Sequence, residues 1–193
     1  MPTTTVVPNE DGTGATNWAM YGGVTTRFSA INNGTATPDD TDYLKSYISE
    51  GSSAENSYFG FGAMPVDFST VSSVSLKVRQ KGYANDDDDV SYQLFQSDGT
   101  TALSDKISLA IDGSGVATSF RTDTVGVTRT GSTSKTVWDG VQLKVTHEGP
   151  GDGDDCELYL SEIDLVITYT ATASGGVLLP MINSAYDYDT TEL

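Results

Sequence analysis

The chain has 193 residues, which one domain can accommodate, and its 27 acidic side chains against 10 Lys and Arg give a formal net charge of −17. Such a surface repels nucleic acid and anionic membranes, and no run of basic residues offsets it. We therefore expect neither as a partner. The N-terminus has no secretion-signal pattern and no apolar stretch is long enough to span a membrane, so we expect synthesis in a cytoplasm.

Short strands separated by turns are predicted along the first half of the chain. Residues 1–35 are rich in Thr, Gly and Asn, with a short edge strand at the start and Trp18 as an anchor. A strand is predicted at 43–48 and a small aromatic strand at 58–62. The clearest strand is 73–81, where apolar and polar residues alternate, as in a half-buried antiparallel strand. Its polar face carries the densest basic group, Lys77, Arg79 and Lys81.

The second half continues the same pattern. A strand at 90–94 ends at an Asp-Gly turn, and the strands at 106–111 and 116–121 are predicted to form a hairpin. Apolar residues then alternate with polar ones over 141–147 and again over 158–169, which is the last long strand. Each of these two strands is therefore expected to bury one face.

This spacing of strands, without an amphipathic helix of useful length, is typical of an all-β fold. We predict an antiparallel β-sandwich that is jelly-roll-like and carries an extended C-terminal tail. Residues 1–35 are assigned to an N-terminal extended segment with an edge strand, packed on the sandwich. Residues 36–170 are assigned to the β-sandwich domain, and residues 171–193 to a linker and an apolar, acidic C-terminal tail.

The tail is unusual for a terminus because its linker is followed by a group of large apolar residues. Two interpretations remain open: the tail folds back onto its own sandwich, or it docks on a neighbouring subunit or another protein. In the second case the residues that contact the partner are Val177, Leu178, Leu179, Met181 and Ile182.

No constellation of catalytic residues stands out, and we predict that the protein is not an enzyme. The single histidine, His147, lies at a strand end, and the single cysteine, Cys156, is typical of a small buried apolar residue. One cysteine and one histidine cannot form a standard zinc site. Glu162 lies inside the last strand, where a lone Glu more often faces solvent. We expect no organic cofactor, and the one ion that the sequence could bind is a hard cation.

Calcium is that cation, because Ca²⁺ takes six to eight oxygen ligands and two loops are rich in Asp. Neither loop has the spacing of an EF-hand, so solvated acidic turns are the alternative interpretation. The candidate ligands are Asp86, Asp87, Asp88, Asp152, Asp154 and Asp155.

The order of these features resembles a known class of domain. Trp18 is followed by the turn and strand Pro-Asp-Asp-Thr-Asp-Tyr-Leu at 38–44 and by Val-Ser-Ser-Val-Ser-Leu-Lys-Val-Arg at 71–79. Thr-Val-Trp and Val-Gln-Leu-Lys-Val follow within 136–145, and Leu-Val-Ile-Thr-Tyr closes the pattern at 165–169. Over about residues 15–170 the chain resembles the jelly-roll-type β-sandwich domains of tailed-bacteriophage virion proteins.

The resemblance implies a structural virion protein, such as a capsid decoration protein or a tail or fibre module. The first hypothesis is a decoration protein of the head surface, made in the host cytoplasm. Its expected partner is the major capsid protein or another virion protein, with a homo-oligomer as the expected state. The alternative is a carbohydrate-binding or receptor-binding module associated with a tail or fibre, since β-sandwiches bind sugars through exposed aromatic side chains. The third possibility, a glycoside hydrolase or lyase, lacks a pair of candidate residues.

Overall fold

The computed structural model describes residues 1–13, 18–49, 52–83, 89–110, 119–148 and 155–172. Over these residues the protein is an antiparallel β-sandwich, which confirms the predicted all-β fold. One short α-helix, α1 (Lys135–Trp138), and one 3-10 turn (Phe28–Ala30) accompany the strands. The strands are β1 (Thr3–Val6), β2 (Pro8–Asp11), β3 (Ala19–Tyr21), β4 (Tyr43–Ile48), β5 (Glu55–Phe61), β6 (Phe68–Tyr83), β7 (Asp89–Phe95), β8 (Ile107–Ala110), β9 (Arg121–Gly126), β10 (Gln142–His147) and β11 (Cys156–Ala171).

Two sheets form the sandwich. Sheet A has the order β3-β4-β11-β6-β9, and sheet B has the order β2-β5-β10-β7-β8. The long strand β11 pairs with β6 along one side, and on its other side with β4 at its start and β1 near its end. The pairings between the strands of both sheets are antiparallel. Because successive side chains of a strand point to opposite faces, they alternate between one shared core and two outer faces.

The core forms between the inner faces of the two sheets, in the rows that the alternation predicts. In β6 these are Val74, Leu76 and Val78, all at most 5% exposed. The predicted inner rows of β10 and β11 are buried as well: Leu143, Val145, Ile163, Leu165, Ile167 and Tyr169. Trp138 is fully buried, and its indole N–H donates to the Ser132 carbonyl at 2.9 Å. This bond satisfies a polar group that would otherwise be costly to bury.

The predicted hairpin of 106–111 and 116–121 lies partly outside the described residues, because its turn and half of its second strand fall within 111–118. Strand β8 pairs with β7 in sheet B, whereas β9 pairs with β6 in sheet A. Turn residues indicate that the chain changes direction, but they do not determine which strand it meets next. Here the chain crosses from one sheet to the other, as connections in Greek-key sandwiches do.

Residues 1–35 contribute to both sheets, because β1 and β3 belong to sheet A and β2 belongs to sheet B. At the other end of the chain, Thr172 still donates its backbone N–H to Asp67 at 2.7 Å. Residues 173–193, with the five predicted partner contacts, lie outside the described residues. Among the described residues, no helix is long and apolar enough to cross a membrane.

Candidate functional site

A polar groove of about 290 Å³ lies on the outer face of sheet B. The floor of the groove is formed by three neighbouring strands, β5, β10 and β7. Thr146 of β10 pairs with Asn56 of β5 on one side and with Ser91 of β7 on the other. The next row places Lys144 between Tyr58 and Gln93. The residues that line the groove are Ala54, Asn56, Ser91, Gln93, Lys106, Lys144, Thr146 and Glu148.

Hydrogen bonds between neighbours hold several of these side chains in place. The Thr146 hydroxyl donates to Asn56 Oδ1 at 2.7 Å, and Glu148 Oε1 accepts from Ser91 Oγ at 2.9 Å and from Lys106 Nζ at 2.5 Å. Burial opposes the charge of Glu148, but the bonds from Lys106 and Ser91 outweigh it and keep its pKa below the usual value. Lys144 Nζ lies 5.8 Å from the centre of the Tyr58 ring. The groove is therefore rich in fixed donors and acceptors, with an aromatic ring beside its floor.

The outer face of sheet A carries a different surface, dominated by aromatic rings. We call Tyr21, Tyr43, Phe120, Tyr159 and Lys81 the aromatic–lysine cluster. The rings of Tyr21 and Tyr43 stack with centroids 4.8 Å apart, and Tyr43 meets Tyr159 edge-on at 5.5 Å. Tyr21 is 41% exposed, and the other three rings are partly exposed.

Two of the cations around this cluster already have carboxylate partners. Lys45 Nζ donates to Glu157 Oε1 at 2.6 Å, a bond that raises the pKa of Lys45. The Arg79 guanidinium makes two bonds to Asp40, at 2.7 and 2.6 Å, and thereby lowers the pKa of that carboxyl group. The paired geometry of Arg79 and Asp40 anchors the 33–40 segment on this face.

His147 and Cys156, for which the sequence offers no common constellation, lie together inside the sandwich. Cys156 Sγ is 3.3 Å from His147 Nε2, and His147 Nδ1 is 2.8 Å from Ser46 Oγ, which donates to Glu55 Oε2. His147 and Ser46 are fully buried and Cys156 is 1% exposed. Burial lowers the pKa of His147 to about 4. Because no substrate can reach the thiol, this chain of bonds supports the predicted structural roles of His147 and Cys156.

Glu162 is not on an exposed face, contrary to the expectation for a lone Glu in a strand. It is fully buried beneath the 33–40 segment, and its carboxylate accepts the backbone N–H groups of Gly34 at 2.8 Å and Asp39 at 3.0 Å. Asp164 lies two residues further on the same face and accepts from Thr35. Burial, with the like charge of Asp164, raises the pKa of Glu162 to about 7. Asp164 Oδ1 is buried with no hydrogen-bond donor among the described residues.

The calcium candidates fall almost wholly outside the described residues. Only Asp155 is described; it is exposed and accepts a hydrogen bond from the Tyr47 hydroxyl at 2.6 Å. The other candidates, Asp86, Asp87, Asp88, Asp152 and Asp154, lie in the undescribed segments. The strands that flank the two segments end side by side, since Tyr83 pairs with Glu157. Within the described part of the chain, no group of three or more potential metal ligands occurs, so calcium remains a prediction.

Neither outer-face surface was predicted as a site. The groove draws on residues from separate strands, and the sequence does not reveal which strands are neighbours. Part of the signal for the aromatic–lysine cluster was available, because alternation had placed Lys77, Arg79 and Lys81 on one face. The rings that surround Lys81 come from β4, β11 and Phe120, and only the sheet order brings them together.

No protein-family model matches the sequence, and no curated protein matches it. Among solved structures the chain is similar to the Stig cyclase Fisc from Fischerella sp. TAU, at 13% identity over 87% of this chain and 85% of that chain, with a TM-score of 0.47. It is similar to the CBM36-1 domain of a multidomain xylanase from the hindgut metagenome of Trinervitermes trinervoides, at 11% identity, 89% and 100% coverage and a TM-score of 0.44. A third similar structure is the enzymatically active domain of tailspike protein 4 of bacteriophage CBA120, at 12% identity and a TM-score of 0.43. The match covers 88% of this chain and 19% of that chain. At these identities and scores the likenesses carry no argument about ligand, activity or partner.

Proposed function

We propose that this domain is a binding module that holds a carbohydrate, without reacting with it, in the groove on the outer face of sheet B. The observation that carries the proposal is the convergence of amide, hydroxyl and charged side chains from adjacent strands on one open groove. Saccharide hydroxyls both donate and accept, and amide and hydroxyl side chains do the same. The volume of about 290 Å³ is near the lower end for small-ligand sites, which suits a short saccharide.

The hydrogen bonds within the groove prepare it for such a ligand. Thr146 fixes Asn56 Oδ1, which leaves the Asn56 amide nitrogen without a partner among the described residues. The Gln93 amide nitrogen donates to the Ser104 carbonyl at 3.0 Å, and its amide oxygen has no partner within the described part of the chain. A side chain held on one side loses little freedom when its other side binds, and this lowers the entropic cost of binding.

The test is a titration with neutral and acidic oligosaccharides at millimolar concentration, followed by backbone NMR shifts. We expect shifts confined to β5, β7 and β10, and an affinity about three- to tenfold lower in Asn56→Ala, as one hydrogen bond to the ligand is lost. Ser73→Ala is the control, because Ser73 is exposed on the opposite sheet. If no saccharide shifts these strands, or if Asn56→Ala binds as the parent does, the proposal is wrong.

The head-decoration hypothesis rests on the C-terminal tail, since no surface of the described residues has a feature particular to a capsid partner. It remains a prediction, together with the oligomeric state and the place on a virion. A carbohydrate-binding module can also serve a virion as a receptor-binding part, so the two functions are compatible. The groove supports the binding function independently of the tail.

A further inference from the structure

The aromatic–lysine cluster on the outer face of sheet A has properties that the groove lacks. We propose that it is a second, independent binding site, for one sugar residue that carries a carboxylate, such as a uronic acid. This proposal goes beyond carbohydrate binding in the groove, because it concerns the opposite face of the sandwich and specifies an acidic ligand.

The rings provide the apolar part of the site. Tyr21 and Tyr43 stack face to face across neighbouring strands, with planes only 15° apart, so each ring covers one face of the other. Tyr21, which lies on the edge strand β3 and is 41% exposed, keeps accessible ring surface at the edge of sheet A. Such a surface matches the C–H face of a pyranose, which is the least polar part of a sugar. The hydroxyls of Tyr21 and Tyr43 have no hydrogen-bond partner among the described residues, so both can bond the hydroxyls of a bound sugar.

Lys81 provides the charge. Its Nζ lies 4.6 Å from the ring centroid of Phe120, 4.8 Å from that of Tyr159 and 5.9 Å from that of Tyr43. These cation–π contacts hold the ammonium group in place without using its N–H donors in bonds to an acceptor. Lys81 has no carboxylate within ion-pair distance in the described part of the chain.

The neighbouring cations differ from Lys81 in this respect. Lys45 is bound to Glu157 and Arg79 is bound to Asp40, so each is neutralised by its own partner. Among the described residues, Lys81 is therefore the cation that lies between the rings without a carboxylate at ion-pair distance, and Asp40 acts on it only from farther away. A ligand with one carboxylate is complementary to this charge, whereas a polyanion would also meet Glu157, Asp40 and the negative charge of the whole chain.

The experiment compares three small probes by NMR titration of the full chain: methyl glucuronide, methyl glucoside and acetate. The first two differ only at C6, which is a carboxylate in the glucuronide and a hydroxymethyl group in the glucoside, and acetate carries the carboxylate without the sugar. We expect methyl glucuronide to shift the ring resonances of Tyr43, Phe120 and Tyr159 and to bind at least about tenfold more tightly than either of the other probes. The binding should weaken as salt is raised, because the ion pair is partly exposed.

Lys81→Met keeps the apolar stem and removes the charge, and we expect it to lose about tenfold or more in affinity for methyl glucuronide. Lys77→Met is the matched control, because Lys77 lies on the same face of β6 and makes no ring contact among the described residues. A circular-dichroism melt checks that both variants are folded, and the shifts of the parent chain locate the site without any variant.

Three results would overturn the proposal: equal affinity for methyl glucuronide and methyl glucoside, acetate binding as tightly as the glucuronide, or unchanged affinity in Lys81→Met. Lys144→Met, in the groove of sheet B, separates the two sites. If that variant alone loses the acidic probe, the acidic sugar binds in the groove; the second site is then rejected and the proposed function of the groove stands.

Discussion

Replacing Glu162 by Gln is expected to change the pH dependence of stability in a specific way. The carboxyl group of Glu162 is fully buried, and its pKa rises from the usual 4.5 to about 7 in the folded protein. Below pH 4.5 the group is protonated in both the folded and the unfolded chain. Between pH 4.5 and pH 7 the group ionises in the unfolded chain but stays protonated in the folded one, so the free energy of unfolding falls by about 3 kcal/mol over this interval. Above pH 7 the group is ionised in both states, and its effect on stability no longer changes.

The quantity to measure is the free energy of unfolding in urea, for the parent chain and for Glu162→Gln, at steps from pH 4.5 to pH 8. Gln cannot ionise, and it also loses one of the backbone bonds from Gly34 or Asp39, because its amide nitrogen is a donor. That loss is the same at every pH. We therefore expect the stability of the variant relative to the parent to rise by about 3 kcal/mol over this range, whatever its value at pH 4.5.

Glu157→Gln is the control for this measurement. Burial opposes the charge of Glu157, but its bond from Lys45 keeps the pKa below the usual value. Its contribution is therefore complete above pH 5, and the difference between this variant and the parent should be constant from pH 5 to pH 8. A constant difference for Glu162→Gln over the same range would show that Glu162 titrates normally, and the argument from burial would be refuted.

Three further predictions concern other parts of the chain. Burial lowers the pKa of His147 to about 4, so its neutral ring contributes stability above pH 6.5, and this contribution is lost as pH falls through 4. An NMR titration of the ring protons of His147 should therefore give a midpoint near pH 4. A midpoint near pH 6.5 would contradict this prediction. If the acidic runs at 86–88 and 152–155 bind Ca²⁺, the melting temperature should be higher with Ca²⁺ than with a chelator, and identical melts would end the calcium hypothesis. If the tail is an assembly element, the native mass of the full chain should be that of an oligomer, and the native mass of a chain ending at residue 174 should be that of a monomer. If both chains are monomers of equal stability, the result argues against assembly through the tail.

The parts of the fold that could be predicted from the sequence are those in which one face of a strand is buried. In β6, β10 and β11 apolar residues alternate with polar ones, and the structure buries the apolar rows, as in Val74, Leu76 and Val78. Alternation reports only whether a face is buried, so it identified these strands without identifying their neighbours. The described strands on either side of 111–118 show the same limit, since β8 and β9 follow one another in the chain but belong to different sheets.

The candidate sites were less accessible to prediction, because they depend on contacts between residues far apart in the chain. Lys81 meets Phe120 and Tyr159 only because β11 and β9 flank β6. The burial of Glu162 likewise depends on the 33–40 segment, which crosses the outer face of β11 and donates two backbone N–H groups. No local pattern around Glu162 distinguishes it from a solvent-facing Glu, because its covering segment lies more than 120 residues earlier.

The net charge of −17 and a site for a carboxylate are compatible because the charges are unevenly distributed. Four of the ten basic residues, Lys45, Lys77, Arg79 and Lys81, lie on the outer face of sheet A, whereas the sequence concentrates Asp at 86–89 and 152–155. Salt screens exposed charges beyond about 8 Å at physiological ionic strength, so a single carboxylate beside Lys81 senses mainly its immediate neighbours. A long polyanion extends past the face and is also repelled by the net negative charge of the chain. The charge distribution thus favours short acidic saccharides over extended polyanions, and affinity for methyl glucuronide should fall, not rise, when further uronic acid residues are added to it.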